Sequence, residues 1–152
     1  VGALARQLVD GSPLAHAVVA AAGGTGVAGR VILRLVETAR VLVAMEAWVG
    51  AFERGGSFCV EGALPTDGSG VGLVEAARGS LGHWATVRGG RIARWQIVAP
   101  TTWNFSPRDG AGLPGPLERA LEGLVVGAEG ARSTLVQHVV RSFDPCMVCT
   151  AH

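Results

Sequence analysis

The sequence predicts an α+β fold, mainly helical, in which helices pack with a small antiparallel β-hairpin region and a metal site closes the extreme C-terminus. Apolar residues at helical spacing run from about Val27 to Phe52, which is the pattern of one long helix. Arg88-Gly89-Gly90-Arg91 separates two strand-like runs, and two adjacent glycines supply the positive φ angles of a two-residue hairpin turn. The chain closes on Cys146, Cys149 and His152, soft and borderline metal ligands that packing alone has little reason to assemble.

Composition narrows the class. A chain of 152 residues can bury a core as one region. Hydrophobic residues make up 49%, charged residues 16%, and the mean hydropathy is +0.37. So much apolar surface asks for a partner or for a missing part of the same protein, and a start at Val1 agrees with a fragment or one chain of a larger body. A net charge of +1 without a Lys/Arg cluster leaves no footprint for nucleic acid. Three cysteines, two of them in a ligand-like pair, do not describe a secreted disulfide framework.

In chain order, residues 1–56 read as helical, 57–110 as hairpin and loops, and 111–152 as helices ending in the Cys-x-x-Cys-x-x-His turn. Residues 1–22 give two short helices broken at Asp10-Gly11-Ser12-Pro13, with Ser12 as N-cap, Pro13 at the first helical position and Gly23-Gly24 as the stop. His16 in the second is read as an ordinary helical histidine. The helix from Val27 carries Arg30, Arg34 and Glu37 on one narrow face and should be buried on several sides. With Arg40 and Glu46 as well, it has no run of about 18 uncharged apolar residues, so it is not a membrane span. Glu46 is expected in a buried ion pair rather than on a proton path.

Gly55-Gly56 stops that helix, and residues 57–74 should hold at most short strands. Cys59 there reads as a small core residue. The hairpin strands are His83–Val87 and Arg91–Val98, in a register that pairs Arg88 with Arg91, Val87 with Ile92, and Trp84 with Trp95. Short helices follow at Pro114–Gly123 and Ala131–Phe143, the latter presenting Leu135, Val136, Val139 and Val140 to the core and carrying a structural His138.

Pro145 cannot extend a helix and pushes Asp144 out of the α region, so this last helix stops before Asp144 and the cysteines sit on a turn. Both sulfurs of a Cys-x-x-Cys turn can converge on one metal, which keeps them as thiolates. A redox disulfide of thioredoxin type would open a helix in a βαβ pattern, which is absent, and haem c attachment needs histidine where Thr150 stands. A structural zinc site would draw on Cys59, His16, His83 or His138.

The ending Ser142-Phe143-Asp144-Pro145-Cys146-x-x-Cys149-x-x-His152 resembles the end of the large subunit of nickel-iron hydrogenases. Glu75-Ala76-Ala77-Arg78-Gly79-Ser80-Leu81-Gly82-His83-Trp84 is similar to the family's EAPRGxLGHW segment, and Pro100-Thr101-Thr102-Trp103-Asn104, with Pro107-Arg108-Asp109, to its PTTWNxxPRD segment. The likeness is firm from Glu75 to His152, whereas the first 70 residues match mainly in helical character. Ala77 stands where many members carry a proline that walls the pocket near the metals, so pocket shape or gas access should differ.

The resemblance implies a Ni-Fe centre, with carbon monoxide and cyanide on the iron, that splits dihydrogen reversibly into protons and electrons. It makes Cys146 a terminal nickel ligand and Cys149 a bridge between the metals. Arg78 corresponds to the guanidinium over the iron ligands, Asp144 to the carboxylate paired with it, and Thr101 to a hydroxyl that donates to cyanide. Without the family, Arg78 and Asp144 read as an ordinary ion pair. His152 corresponds to a magnesium ligand, with a backbone carbonyl near Ile97 as a second one.

The family's other Cys-x-x-Cys, and the glutamate assigned to proton exit, belong to an N-terminal region with no counterpart in these residues. The implied partners are therefore the rest of the large subunit and a small subunit with iron-sulfur clusters, and the implied location is cytoplasmic or membrane-associated through that subunit. A hydrogen-sensing regulatory hydrogenase or a metal-binding structural fragment is the alternative.

Overall fold

The structure is a computed structural model that describes residues 1–57, 59 and 61–146. It is α+β, in the order α1 (Ala3–Val9), α2 (Pro13–Ala21), α3 (Val27–Gly50), β1 (Gly68–Ala76), β2 (Gly79–Arg88), β3 (Arg91–Val98), α4 (Pro100–Asn104), α5 (Pro116–Leu121) and α6 (Thr134–Ser142). The three strands form an antiparallel meander, β1-β2-β3. Helices α1, α2 and α6 all pack against α3, while α4 joins the sheet to α5.

Local chemistry sets the boundaries. The Ser12 hydroxyl accepts from the Ala15 amide (3.4 Å), and Pro13 opens α2. Pro116 opens α5, where the Glu118 carboxylate accepts from the Gly115 amide at 3.1 Å. Helix α6 begins at Thr134, its N-cap Ser133 preceded by a single 3-10 turn at Gly130–Arg132, so the expected start at Ala131 is early by about one turn. It ends at Ser142, and Asp144, ahead of Pro145, stands outside right-handed helical space as expected, though at φ 53 rather than in the extended region that a following proline favours.

The described core is small. Ala3, Ala15, Leu33 and Val139 are its buried apolar residues, with Gln7 donating from Nε2 to the carbonyls of Leu33 (2.8 Å) and Ala3 (3.2 Å). Helix α3 buries only Gly29 and Leu33, contrary to the expectation of burial on several sides. Leu35, Leu42, Trp48 and Val49 are all exposed. Within this chain it is instead the narrow polar stripe of α3 that faces inward, where Arg30, Arg34 and Glu37 bond to residues of α6 and α1. Glu46 is exposed rather than in a buried pair, Cys59 is exposed rather than in the core, and Leu135 is exposed beside a buried Val139.

The sheet corrects two further expectations. Residues 68–76, read as holding at most a short strand, form the nine-residue β1, because edge pairing to β2 tolerates glycines that propensity penalises. The Gly89-Gly90 turn has φ 56 and 70, and Arg88 pairs Arg91 and Val87 pairs Ile92 as expected. A bulge then adds Ala93 to β3, so Ala85 faces Trp95 and Trp84 faces Gln96. One extra residue moves Trp95 to the opposite face from Trp84. There its indole N–H donates to His83 Nδ1 at 3.1 Å.

Candidate metal centre

Arg78 sits in the two-residue turn between β1 and β2, where Ala76 pairs Gly79. That turn is gripped from α1. Arg6 donates to the carbonyls of Ala76 (2.8 Å) and Ala77 (3.1 Å), and its guanidinium also pairs with Glu37 and Glu75. The two carboxylates hold Arg6 firmly charged, the hydrogen bonding to Glu37 contributing most. For Glu75, burial is the largest influence and opposes ionisation. Hydrogen bonds from Ser80 and Arg6, with the positive charges of Arg6 and the N-terminus, together outweigh it and bring the carboxyl below its ordinary value. Gly79, with φ 138, approaches Val1 so closely that an added Cβ would lie 2.6 Å from a Val1 methyl, which fixes glycine directly after Arg78.

Asp144 enters from the end of α6. Its Oδ2 lies 3.6 Å from Arg78 Nε and 3.8 Å from Arg34 Nε of α3, so two guanidiniums share one carboxylate oxygen. Arg34 Nη2 also donates to the Ser142 carbonyl (2.8 Å), an orphan acceptor at the negative end of α6. Arg30 donates from Nε to the Ser142 hydroxyl (2.9 Å) and covers the Phe143 ring at 4.0 Å. Burial, followed by the charge of Arg34, lowers the Arg30 pKa.

Thr101 stands at the start of α4, after Pro100 in the first helical position. Its Oγ1 accepts from the Cys146 amide at 3.2 Å, which draws the first cysteine of the terminal pair to α4 and leaves the hydroxyl hydrogen for another acceptor. Asn104, buried at the end of α4, donates from Nδ2 to the Val1 carbonyl (3.2 Å) and ties this corner to α1. Ile97 lies on β3 opposite His83. Cys149 and His152 lie outside the described residues.

Beside this cluster lies a cavity of about 590 Å³. Its ionisable side chains are four guanidiniums, Arg30, Arg34, Arg78 and Arg119, and one carboxylate, Asp144, with Ala77 also in the wall. The excess of fixed positive charge suits anionic or electron-rich occupants. Arg78, Thr101, Asp144 and Cys146 are thus brought together from the β1–β2 turn, α4 and the segment after α6. Sequence reasoning gave Arg6, Arg34 and Asn104 no role at the site. The available signals were the placement of Arg30, Arg34 and Glu37 on one stripe of α3 and that of Asn104 in the Pro100–Asn104 segment.

The donor chemistry fits half of a soft-metal site. Cys146 offers a sulfur ligand, its amide bonded to the Thr101 hydroxyl, and Asp144, which pairs with Arg78, stands two residues before it in the chain. Among the described residues no group of three or more His, Cys, Asp and Glu side chains could hold a metal by itself, so His16, Cys59, His83 and His138 assemble no zinc site there. No helix among the described residues is long and apolar enough to cross a membrane.

A family model for nickel-dependent hydrogenases matches residues 4–152. The Hydrogenase-1 large chain of Escherichia coli K12 is 47% identical over 88 residues, which are 58% of this chain and 15% of that protein. The periplasmic [NiFeSe] hydrogenase large subunit of Desulfomicrobium baculatum is 37% identical over 124 residues, 82% of this chain and 24% of that one. The crystal structure of a reduced, active Ni-Fe-Se hydrogenase from the same organism superposes with a TM-score of 0.72 at 37% identity, over 83% of this chain and 26% of the other. The chain thus spans about a quarter or less of these relatives' length.

Proposed function

Since the chain belongs to the nickel-dependent hydrogenase family, we propose that it forms the C-terminal part of a hydrogenase large subunit and supplies half of the ligands of a nickel-iron centre that oxidises dihydrogen. One observation supports this most strongly. Arg78 and Asp144 pair in the wall of a cationic cavity, and Cys146, two residues further on, is tied by its amide to Thr101, in a chain matched by the family over nearly its whole length.

In this reading Cys146 and Cys149 would hold the nickel-iron centre through their thiolates, together with two cysteines from outside the chain. Soft sulfur donors suit nickel and low-valent iron. His152, with a backbone carbonyl near Ile97, holds a magnesium ion that braces the terminus. When bound, the metal pair supplies the redox and Lewis-acid chemistry that polarises dihydrogen.

The chain's own residues supply the proton handling. Cys146 Sγ would serve as a proton acceptor beside the metals. Arg78 would present a fixed planar cation to anionic ligands of the metal pair. Asp144 orients that guanidinium. The Thr101 hydroxyl, already accepting from the Cys146 amide, would have its own hydrogen to donate to an anionic ligand of the metal pair. Iron-sulfur clusters of a small subunit would carry the electrons away.

The test is Cys146→Ser in the complete large and small subunit complex, with nickel counted per assembled complex. Loss of most of the nickel is expected, because a hydroxyl is a far poorer ligand than a thiolate for this metal. Full nickel occupancy in that variant would refute the assignment.

A further inference from the structure

We propose that Arg34 is a positioning residue that sets where Arg78 stands over the metal site, by sharing with it the Asp144 carboxylate. The inference rests on the roles given above to Arg78 and Asp144. Its evidence lies in α3, a helix that carries no part of the recognised motifs.

The Arg34 guanidinium spans Phe143. Nη2 donates to the Ser142 carbonyl at 2.8 Å, and Nε lies 3.8 Å from Asp144 Oδ2. A planar fork can serve both acceptors with one rigid group, and a lysine ammonium on a flexible stem cannot. The chain needs holding there, since Asp144 has φ 53, a left-handed conformation uncommon outside glycine. From the other side Arg78 Nε stands 3.6 Å from the same oxygen. Arg78 is anchored at its backbone by Arg6, through the carbonyls of Ala76 and Ala77. The carboxylate is therefore the adjustable member, drawn towards α3 by one cation and towards the β1–β2 turn by the other. Without the Arg34 fork, which serves the Ser142 carbonyl and Asp144 together, Asp144 settles on Arg78 alone and the Arg78 guanidinium turns away from its place over the cavity.

Arg30 provides the contrast. It binds the Ser142 hydroxyl and covers Phe143 one helical turn earlier, so it braces the same helix end without touching Asp144. A role confined to bracing α6 predicts the same outcome for both arginines. A role exercised through the carboxylate predicts an effect on the metal site from Arg34 alone.

The experiment uses the complete hydrogenase complex and infrared spectroscopy of iron-bound carbonyl and cyanide, with nickel content and turnover per nickel measured on the same samples. Arg34→Gln should keep its nickel, shift the cyanide bands, and lower turnover per nickel by about 10- to 100-fold, the range for losing an outer partner of a metal site. Arg30→Gln should leave the cyanide bands in place. Should Arg34→Gln fail to assemble, Arg34→Lys keeps the charge without the fork and should shift the same bands. Cyanide bands and turnover unmoved by substitution at Arg34, or moved equally by Arg30→Gln, overturn the inference alone. Absence of any carbonyl and cyanide bands from the unsubstituted complex overturns both the inference and the function beneath it.

Discussion

Replacing Arg78 by lysine separates catalysis from scaffolding, because the two roles differ in size. Arg78 pairs with Asp144 at 3.6 Å, with 47% and 37% of the two side chains exposed in this chain. A partly exposed pair at that distance is screened and contributes about 0.2–1 kcal/mol to stability. Lysine keeps the charge and so retains part of even that. A guanidinium that positions cyanide and polarises the open metal site is worth far more. Losing its planar fork should cost about 10²-fold in rate, equivalent to about 2.7 kcal/mol of barrier. Arg78→Lys should therefore lower hydrogen-dependent reduction of an artificial electron acceptor, per nickel, by at least that factor while Tm shifts little. A normal rate per nickel with a lowered Tm or metal content would show Arg78 to be half of a structural ion pair and nothing more.

Two further outcomes follow from the packing and the charges. Leu33 is fully buried where α1 meets α3, so Leu33→Ala should destabilise the folded protein by about 2–5 kcal/mol, read as a lower midpoint in denaturant unfolding. The Glu75 carboxyl ionises below its ordinary value when folded. It therefore adds stability above the unfolded value of about 4.3, and that stability is lost as pH falls through the still lower folded value. The Tm difference between the unsubstituted protein and Glu75→Gln should be present at neutral pH and close as the pH drops below about 4, and a difference independent of pH would assign it to packing.

Much of the architecture was legible because local signals dominate it. Ser12-Pro13, Gly23-Gly24, Gly89-Gly90 and Pro145 each dictate a backbone conformation that no distant contact had to supply. The Trp84–Trp95 pairing failed because the bulge at Ala93 carries no glycine or other residue that announces it. The strand β1 was obscured by Gly68, Gly70 and Gly72, whose extended state comes from pairing with β2 rather than from propensity. Burial of α3 was misjudged in a different way. Its apolar residues are as the pattern indicated, but Leu35, Trp48 and Val49 find no cover in this chain, which spans 15% and 26% of the length of two of its relatives. At the site, the motifs pointed to Arg78, Thr101, Asp144 and Cys146. They could not point to Arg6 or Arg34, because a helical arginine on a polar stripe looks the same whether it faces solvent or a carboxylate from far along the chain.

The most direct measurement is infrared spectroscopy, with nickel and iron analysis, of the complete complex beside the 152-residue chain alone. If Cys146 and Cys149 are half of a shared nickel site, the complex should contain nickel and iron and show bands of iron-bound carbonyl and cyanide, and the isolated chain should show none. Those bands in the isolated chain, or a catalytically competent complex without nickel, would contradict a centre built half from this chain and half from its missing partner segment.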